Sequence, residues 1–430
     1  MADVGIVMPV YRQNLDHLRI ALRSVLDQSY RNYKFVIVGD GAPEDVVRTI
    51  YEETDGDGRV QVVLKPKNEG VAEALNLGFD ILMADPEIEY LTWVSSDNYY
   101  YPYFLMVLYT EMVTSPPEVG LIYSAFRQIL EDGSPAHEDK FLEKLRVWQN
   151  VPKQRLLDRC IIGPAFLHRT SVCRIVGHYR LDPVQDYDYW IRMSEHCEIK
   201  FIPFELMDYR LNSPFSLSTS IRNSRDSHRK CWDAAHTAQF EGRQRRGIRP
   251  AITVVFPVRD LSGKTLKMLE AVVDQSYSNF KLYLMDLTSK GNAGELLKTV
   301  RDPRIRVKRV SSRSWKDAIL SAIRRLKTRY TIVVGEGSSV KSKNYFKHMA
   351  RRQEVARKRA IVSARYRGGS AKGRKEFDGK LMLGELYRTD KLKAFIAKNR
   401  GSRISMSGSR RIMKFKRARQ SRSALRRNAR

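Results

Sequence analysis

The stretch VGIVMPVYRQNLDHLRIALRSVLDQSYRNYKFVIVGDG, residues 4–41, returns later in the chain as ITVVFPVRDLSGKTLKMLEAVVDQSYSNFKLYLMDLT, residues 252–288. Each copy opens with a β-branched run ending in Pro-Val, at Pro9 and Pro257, followed by a polar turn and apolar residues at helical spacing. Both then read Asp-Gln-Ser-Tyr, at Asp27–Tyr30 and Asp274–Tyr277, and an aromatic-Lys pair leads into a second apolar run. Strand, helix and strand in this order produce a parallel sheet with right-handed crossovers. The chain therefore reads as α/β, with two tandem copies of one Rossmann-like unit around mostly parallel central sheets.

Later landmarks repeat more faintly. Tyr90–Val94 runs into Ser95-Ser96-Asp97-Asn98, and Tyr330–Val334 runs into Gly335-Glu336-Gly337-Ser338. Gly163–Thr170 is echoed by Gly384–Thr389. The second copy keeps apolar scaffold positions and loses carboxylates at loop positions, so it is expected to fold without catalysing.

At 430 residues the chain exceeds one ordinary core. The boundaries expected are residues 1–245 for the first copy, 246–400 for a strongly basic second copy, and 401–430 for a basic, acid-free tail, disordered or ordered only on a partner. With 42% hydrophobic residues and no apolar run near the length of a membrane span, a globular protein is expected. The opening MADVGIVMPVY shows no secretory pattern, and the cytoplasm is the expected compartment, with the inner membrane face as a peripheral alternative.

The formal charge of +29 is unevenly placed. Residues 1–250 carry 30 Lys/Arg against 35 Asp/Glu, or −5, and the remainder carries 47 against 13, or +34. Such density attracts an anionic acceptor, an acidic membrane surface, an acidic protein partner (a second copy of the chain included) or nucleic acid, and the count does not choose among them. Phe415 is the sole aromatic in the tail, so nucleic acid is the weaker choice. The cysteines, Cys160, Cys173, Cys197 and Cys231, form no C-x-x-C pair, and the histidines form no H-E-x-x-H or H-x-x-x-H. Reduced thiols and no histidine-based metal site are expected.

Open α/β sheets bind ligands beyond the carboxyl ends of their strands. In the first copy those ends carry Pro9-Val10-Tyr11, Gly39-Asp40-Gly41, the segment Asn68 to Asn76, and Ser95-Ser96-Asp97-Asn98. A carboxylate such as Asp97 suits a hard divalent ion bridging diphosphate oxygens, although an acid after a strand also serves as a turn or cap residue. Further on, Gln185-Asp186-Tyr187-Asp188-Tyr189-Trp190 opens a helix. Asp186 and Asp188, two apart, do not share a helical face, so one of them is expected to point into the cleft as a general base.

Taken together, IVMPVYRQ, SVLDQSYRNYKFVIVGDG, NEGVAEALNLG, the strand with SSDN, GPAFLHRT, VGHY, QDYDYWIRM and YRLNSPFSLS resemble, in this order, the family-two inverting glycosyltransferases of the GT-A fold over about Val4–Ser220. That resemblance implies a nucleotide-sugar donor, typically a uridine diphosphate sugar, a divalent metal such as Mn or Mg, and single displacement with inversion. By position it implies donor contacts from Pro9, Tyr11, Asp40, Asn68, Gly70, Asn76, Ser96, Gly163 and Pro164, metal binding by Asp97, and Asp186 as general base. Trp190 and Asp188 fall on the acceptor side. Three family acid pairs are reduced to one member, at Ser95-Ser96-Asp97, Gly39-Asp40-Gly41 and Gln185-Asp186, and the family's late histidine reads Asn212. The expectation is an enzyme of surface or envelope glycan synthesis. Transfer to nucleic acid, or an inactive scaffold gripping an anionic partner, are the alternatives.

Overall fold

The computed structural model describes residues 2–310, 314–335, 340, 342–355, 363–367, 370–374, 380–399 and 405–407. Most of the expected tail and the turn after Gly335 lie outside the described residues. The chain divides into two compact units, Met1–Gly242 and Arg243–Arg430.

In the first unit the elements run β1 (Val4–Val10), α1 (Leu15–Leu26), β2 (Tyr33–Asp40), α2 (Glu44–Thr54), β3 (Val60–Lys65), α3 (Val71–Met83), β4 (Tyr90–Trp93), β5 (Tyr99–Tyr100), α4 (Phe104–Val113) and β6 (Val119–Ile129). Then come α5 (Asp139–Gln149), β7 (Phe166–Arg169), α6 (Thr170–Val176), α7 (Gln185–Met193), β8 (Glu198–Arg210), α8 (Leu217–Asn223) and α9 (Arg225–Arg245), the last of which crosses the boundary. Their strands form one sheet in the order β3-β2-β1-β4-β7-β6-β8-β5. Pairs among β3, β2, β1 and β4 are parallel, as the crossover reading requires, and β7 joins β4 antiparallel. Alternation along β1 sends Val7 into the core on one face and Ile6 and Met8 into the core on the other. Burial on both faces explains why this strand is an unbroken apolar run.

The second unit runs β9 (Ile252–Val258), α10 (Gly263–Val273), β10 (Phe280–Asp286), β11 (Ile305–Arg309), α11 (Trp315–Arg325), β12 (Tyr330–Val333), α12 (Tyr345–Val355), β13 (Ser363–Arg367), β14 (Ser370–Arg374), β15 (Lys380–Met382), β16 (Leu386–Arg388), α13 (Thr389–Lys398) and β17 (Ser405–Ser407). Among the described residues its larger sheet has the order β11-β10-β9-β12-β16-β13-β14. Parallel pairing again links the first four strands, and β16 joins β12 antiparallel. The same order therefore extends over five strands of each sheet. Both sheets are mixed, parallel on one side and partly antiparallel on the other, and parallel pairing predominates over the two, as expected.

The repeated Asp-Gln-Ser-Tyr has a structural cause. Gln28 is fully buried at the end of α1; its amide donates to the Ser24 and Tyr101 carbonyls, both at 2.8 Å, and its Oε1 accepts from Leu105 N at 2.9 Å. Gln275 does the same after α10, donating to the Ala271 and Ser342 carbonyls at 2.9 Å and accepting from Phe346 N at 3.0 Å. One side chain thus satisfies three backbone groups and fastens the end of one helix to the start of another.

Candidate functional site

The carboxyl ends of β1, β2 and β4 bring several expected residues to one edge of the first sheet. Pro9 is half-buried where β1 ends, and Tyr11 beyond it is 39% exposed with the Arg12 guanidinium 5.3 Å from its ring centroid. Asn14 caps α1 by accepting from the Asp16 and His17 amides, so the loop between Tyr11 and the helix is short and fixed. From this loop Gln13 donates to the Ser96 hydroxyl at 3.1 Å, tying the end of β1 to the end of β4.

Asp40 closes β2 and is 3% exposed. Its carboxylate accepts from Glu69 N and from Gly70 N at 2.8 Å and pairs with Lys65 Nζ at 2.8 Å, while Asn68 donates to its carbonyl at 3.2 Å. Asp40, Asn68 and Gly70 do meet, as one engaged loop, and Asp40 shapes a wall instead of presenting free oxygens. Gly70 has φ 101°, a conformation open chiefly to glycine, directly before α3. Asn76 differs from the expected wall contact: it is buried, and its amide exchanges hydrogen bonds with the Tyr179 backbone, Nδ2 to the carbonyl at 3.1 Å and Oδ1 from N at 2.7 Å.

Asp97 lies after β4 and is 8% exposed. Burial pushes its carboxyl above the ordinary value, and the Ser213 hydroxyl and Arg210 guanidinium beside it oppose that rise. Arg210 is 4% exposed; its Nε donates to the Asp97 carbonyl at 3.1 Å and its Nη1 to the Glu131 carbonyl at 2.6 Å, while its backbone N donates to Asn98 Oδ1 at 3.0 Å. Arg210 is the cation the sequence reading did not assign, although Tyr209-Arg210 stands inside a quoted motif. A lone arginine at a strand end carries no spacing signal.

Asp186 sits in the first turn of α7, half-buried by surface yet deep enough that burial raises its carboxyl above the ordinary value, opposed by the Tyr187 N–H donating to its Oδ1 at 2.6 Å. Burial raises the Tyr209 phenol, and the charges of Asp97 and Asp186 add to that rise. Cys160, Cys231 and Tyr179 also feel the charge of Asp186. Gly163 and Pro164 are half-buried on the segment before β7, and a Cβ at Gly163 would lie 2.6 Å from the Phe126 ring, which would have to move to admit a larger residue.

The two residues expected on the acceptor side are both enclosed. Asp188 has a side chain with no exposure, held by Arg180 Nε at 2.9 Å and Arg192 Nε at 2.8 Å. Trp190 is 1% exposed with its ring 4.6 Å from Phe166. Both are buried although, two apart, they lie on different faces of α7, because the helix is enclosed on nearly all sides. Asn212, in place of the family histidine, has φ 62° and accepts from Arg222 Nη1 at 2.8 Å.

No group of three or more His, Cys, Asp or Glu that could hold a metal occurs among the described residues, and no helix among them is long and apolar enough to cross a membrane. All four cysteines are free thiols, as expected.

Residues 5–173 match the model of Glycosyl transferase family 2. An uncharacterized glycosyltransferase of Rickettsia felis is 24% identical over 346 residues, covering 70% of this chain and 56% of its own length. One of Haemophilus influenzae is 32% identical over 99 residues, 23% of this chain and 38% of its own. The chain spans about half the length of the Rickettsia relatives it matches. Seventy per cent of the chain exceeds the first unit, so the R. felis match reaches the second. Among solved structures, Staphylococcus aureus TarS 1-349 in complex with UDP-GlcNAc is 13% identical with a TM-score of 0.44, covering 55% of this chain and 66% of that one. The mannosyltransferase PcManGT from Pyrobaculum calidifontis in complex with GDP-Man and Mn2+ is 12% identical with a TM-score of 0.44, covering 56% and 64%.

Proposed function

We propose that the first unit, whose residues 5–173 match the model of Glycosyl transferase family 2, moves a sugar from a nucleoside diphosphate donor to a hydroxyl acceptor with inversion. The observation that carries the reading is the burial of two carboxyls, Asp97 just after β4 and Asp186 in the first turn of α7, with the Arg210 guanidinium donating to the Asp97 carbonyl at 3.1 Å. A carboxylate with a raised pKa is a stronger base, so Asp186 is suited to take the acceptor's proton as its oxygen attacks the anomeric carbon. The leaving diphosphate accumulates negative charge on the opposite side of that carbon, and Arg210, fixed by backbone carbonyls, supplies a preorganised cation near Asp97.

A single carboxylate does not make a resident metal site. It does suit a Mn or Mg ion that arrives on the donor, since such ions share their shell between one or two carboxylates and substrate phosphates. Asp97 is the residue that would hold it, and the ion would neutralise charge on the departing diphosphate. The donor is read as a UDP-sugar by family resemblance. The second unit is read as a non-catalytic copy whose positive charge holds an anionic acceptor, membrane surface or protein partner in envelope glycan synthesis.

The direct test is a thermal-shift titration with uridine, guanosine, thymidine and cytidine diphosphates, each with and without manganese, on the native chain and on Asp97→Asn. A selective nucleotide that binds the folded state raises its melting temperature by mass action, about 2.7 kcal/mol of stabilisation at a hundredfold excess over Kd. One selective, manganese-dependent rise that disappears in the variant is expected. No rise with any nucleotide at millimolar concentration overturns the transferase reading.

A further inference from the structure

The second unit contains a cavity of about 440 Å³ at the carboxyl ends of β9 and β12, beside the start of α10. Its apolar lining includes the buried Phe256 and Leu383 together with Pro257 and Met268. Trp315, the first residue of α11, forms one wall, half-buried so that part of the indole remains uncovered. Arg259 and Lys264 line it as exposed cations. The Arg259 guanidinium lies 5.9 Å from the indole centroid, and Lys316 Nζ lies 5.9 Å from it as well. The one acid in the lining, Asp260, has an oxygen engaged by its own loop, accepting from Ser262 N and Thr265 Oγ1, both at 2.9 Å.

An aromatic wall, an apolar floor and cations at the mouth define a ligand with a flat ring and an anionic group. The volume lies within the range of small-molecule sites, and the position is the strand end where parallel sheets take their ligands. Gly335 enlarges the space: a Cβ there would meet Pro257 Cγ at 3.6 Å and Leu383 Cδ1 at 4.0 Å, ordinary contacts, so packing does not demand glycine. We propose that the second unit binds a nucleoside phosphate in this cavity, its base against Trp315 and its phosphate against Arg259 and Lys264. The loss of loop carboxylates that disqualifies this copy from transfer also removes charges that would repel such a ligand.

The test is intrinsic-fluorescence titration of the full chain with uridine monophosphate, adenosine monophosphate, ribose 5-phosphate and inorganic phosphate. Saturable quenching by at least one nucleotide is expected, absent in Trp315→Phe, weakened about tenfold or more in Lys264→Glu, and unchanged in Asp97→Asn. Gly335→Val, which narrows the cavity, should weaken it while the chain melts as the native one does. Quenching that is undiminished in Trp315→Phe, or that responds to Asp97→Asn and not to Gly335→Val, would assign the signal to the first unit's proposed donor site and overturn the proposal. So would no quenching, or equal affinity for nucleotide and inorganic phosphate.

Discussion

Asp186 and Asp188 are the same residue type, two positions apart in one turn of helix, and their surroundings give them opposite consequences. Burial raises the Asp186 carboxyl above its ordinary 3.8. A carboxyl raised on folding stabilises the protein in its protonated form, and that contribution is lost as pH rises through the folded pKa. At neutral pH the ionised Asp186 is therefore a cost to stability. Asp186→Asn should melt higher than the native chain at pH 7, with the gain vanishing below about pH 4, where both states of the native residue are protonated. Transfer should fall by roughly 10²–10⁴-fold in the same variant, and native activity should be lost as pH drops through the raised value. Paired melting and rate profiles against pH check both; a melting gain that persists at pH 3 would contradict the assignment. Asp188→Asn leaves two guanidiniums beside a buried neutral side chain and should cost about 3–5 kcal/mol, visible in urea unfolding. The sequence spacing correctly separated the two acids onto different faces. It did not say which face was the core, because the partners of Asp188 include Arg180, outside the helix.

The helix ends explain what was readable between residues and what was not. Asp-Gln-Ser-Tyr repeats because a buried glutamine amide and the serine N–H after it are both bonded across the helix end: Ser29 N donates to the Pro102 carbonyl at 2.7 Å and Ser276 N to the Lys343 carbonyl at 2.8 Å. Such a constraint needs particular side chains at fixed spacing, and so it survives as visible sequence. Gln28→Ala and Gln275→Ala each orphan buried backbone groups and should lose on the order of 2 kcal/mol or more by urea unfolding; a loss confined to one copy would mean that the two fasteners are not equivalent. Asn76 obeys the same logic without a repeated signature, and for that reason its interior position was missed. Gly78 was equally silent: a Cβ there would lie 2.5 Å from Val7 Cγ1, where α3 crosses β1, although alanine is the better helix former.

Across the whole chain, the parallel strand–helix–strand unit at the start of each sheet was legible from one pair of similar stretches, whereas the strand order and the loops that carry charge and chemistry were not, since they depend on contacts made far along the sequence. Positive charge is the property that distinguishes the second half, at +34 against −5. Binding to vesicles containing acidic lipid, to DNA or to an anionic polysaccharide should weaken steeply between about 50 and 200 mM salt if phosphate or carboxylate contacts dominate. Co-sedimentation and filter binding across that range rank the three partners, and salt-insensitive binding to all of them would remove the electrostatic reading. The same charge has a second effect on β11, which ends the larger sheet of the second unit. An unpaired sheet edge invites another chain to add a strand, and lysine or arginine along it is a common deterrent. Arg306, Lys308 and Arg309 occupy that edge, all exposed, with Val307 uncovered between them. Whatever neutralises this strand, a bound polyanion included, also lifts its guard against edge-to-edge aggregation, so the chain's attraction to anions and its colloidal behaviour rise and fall together.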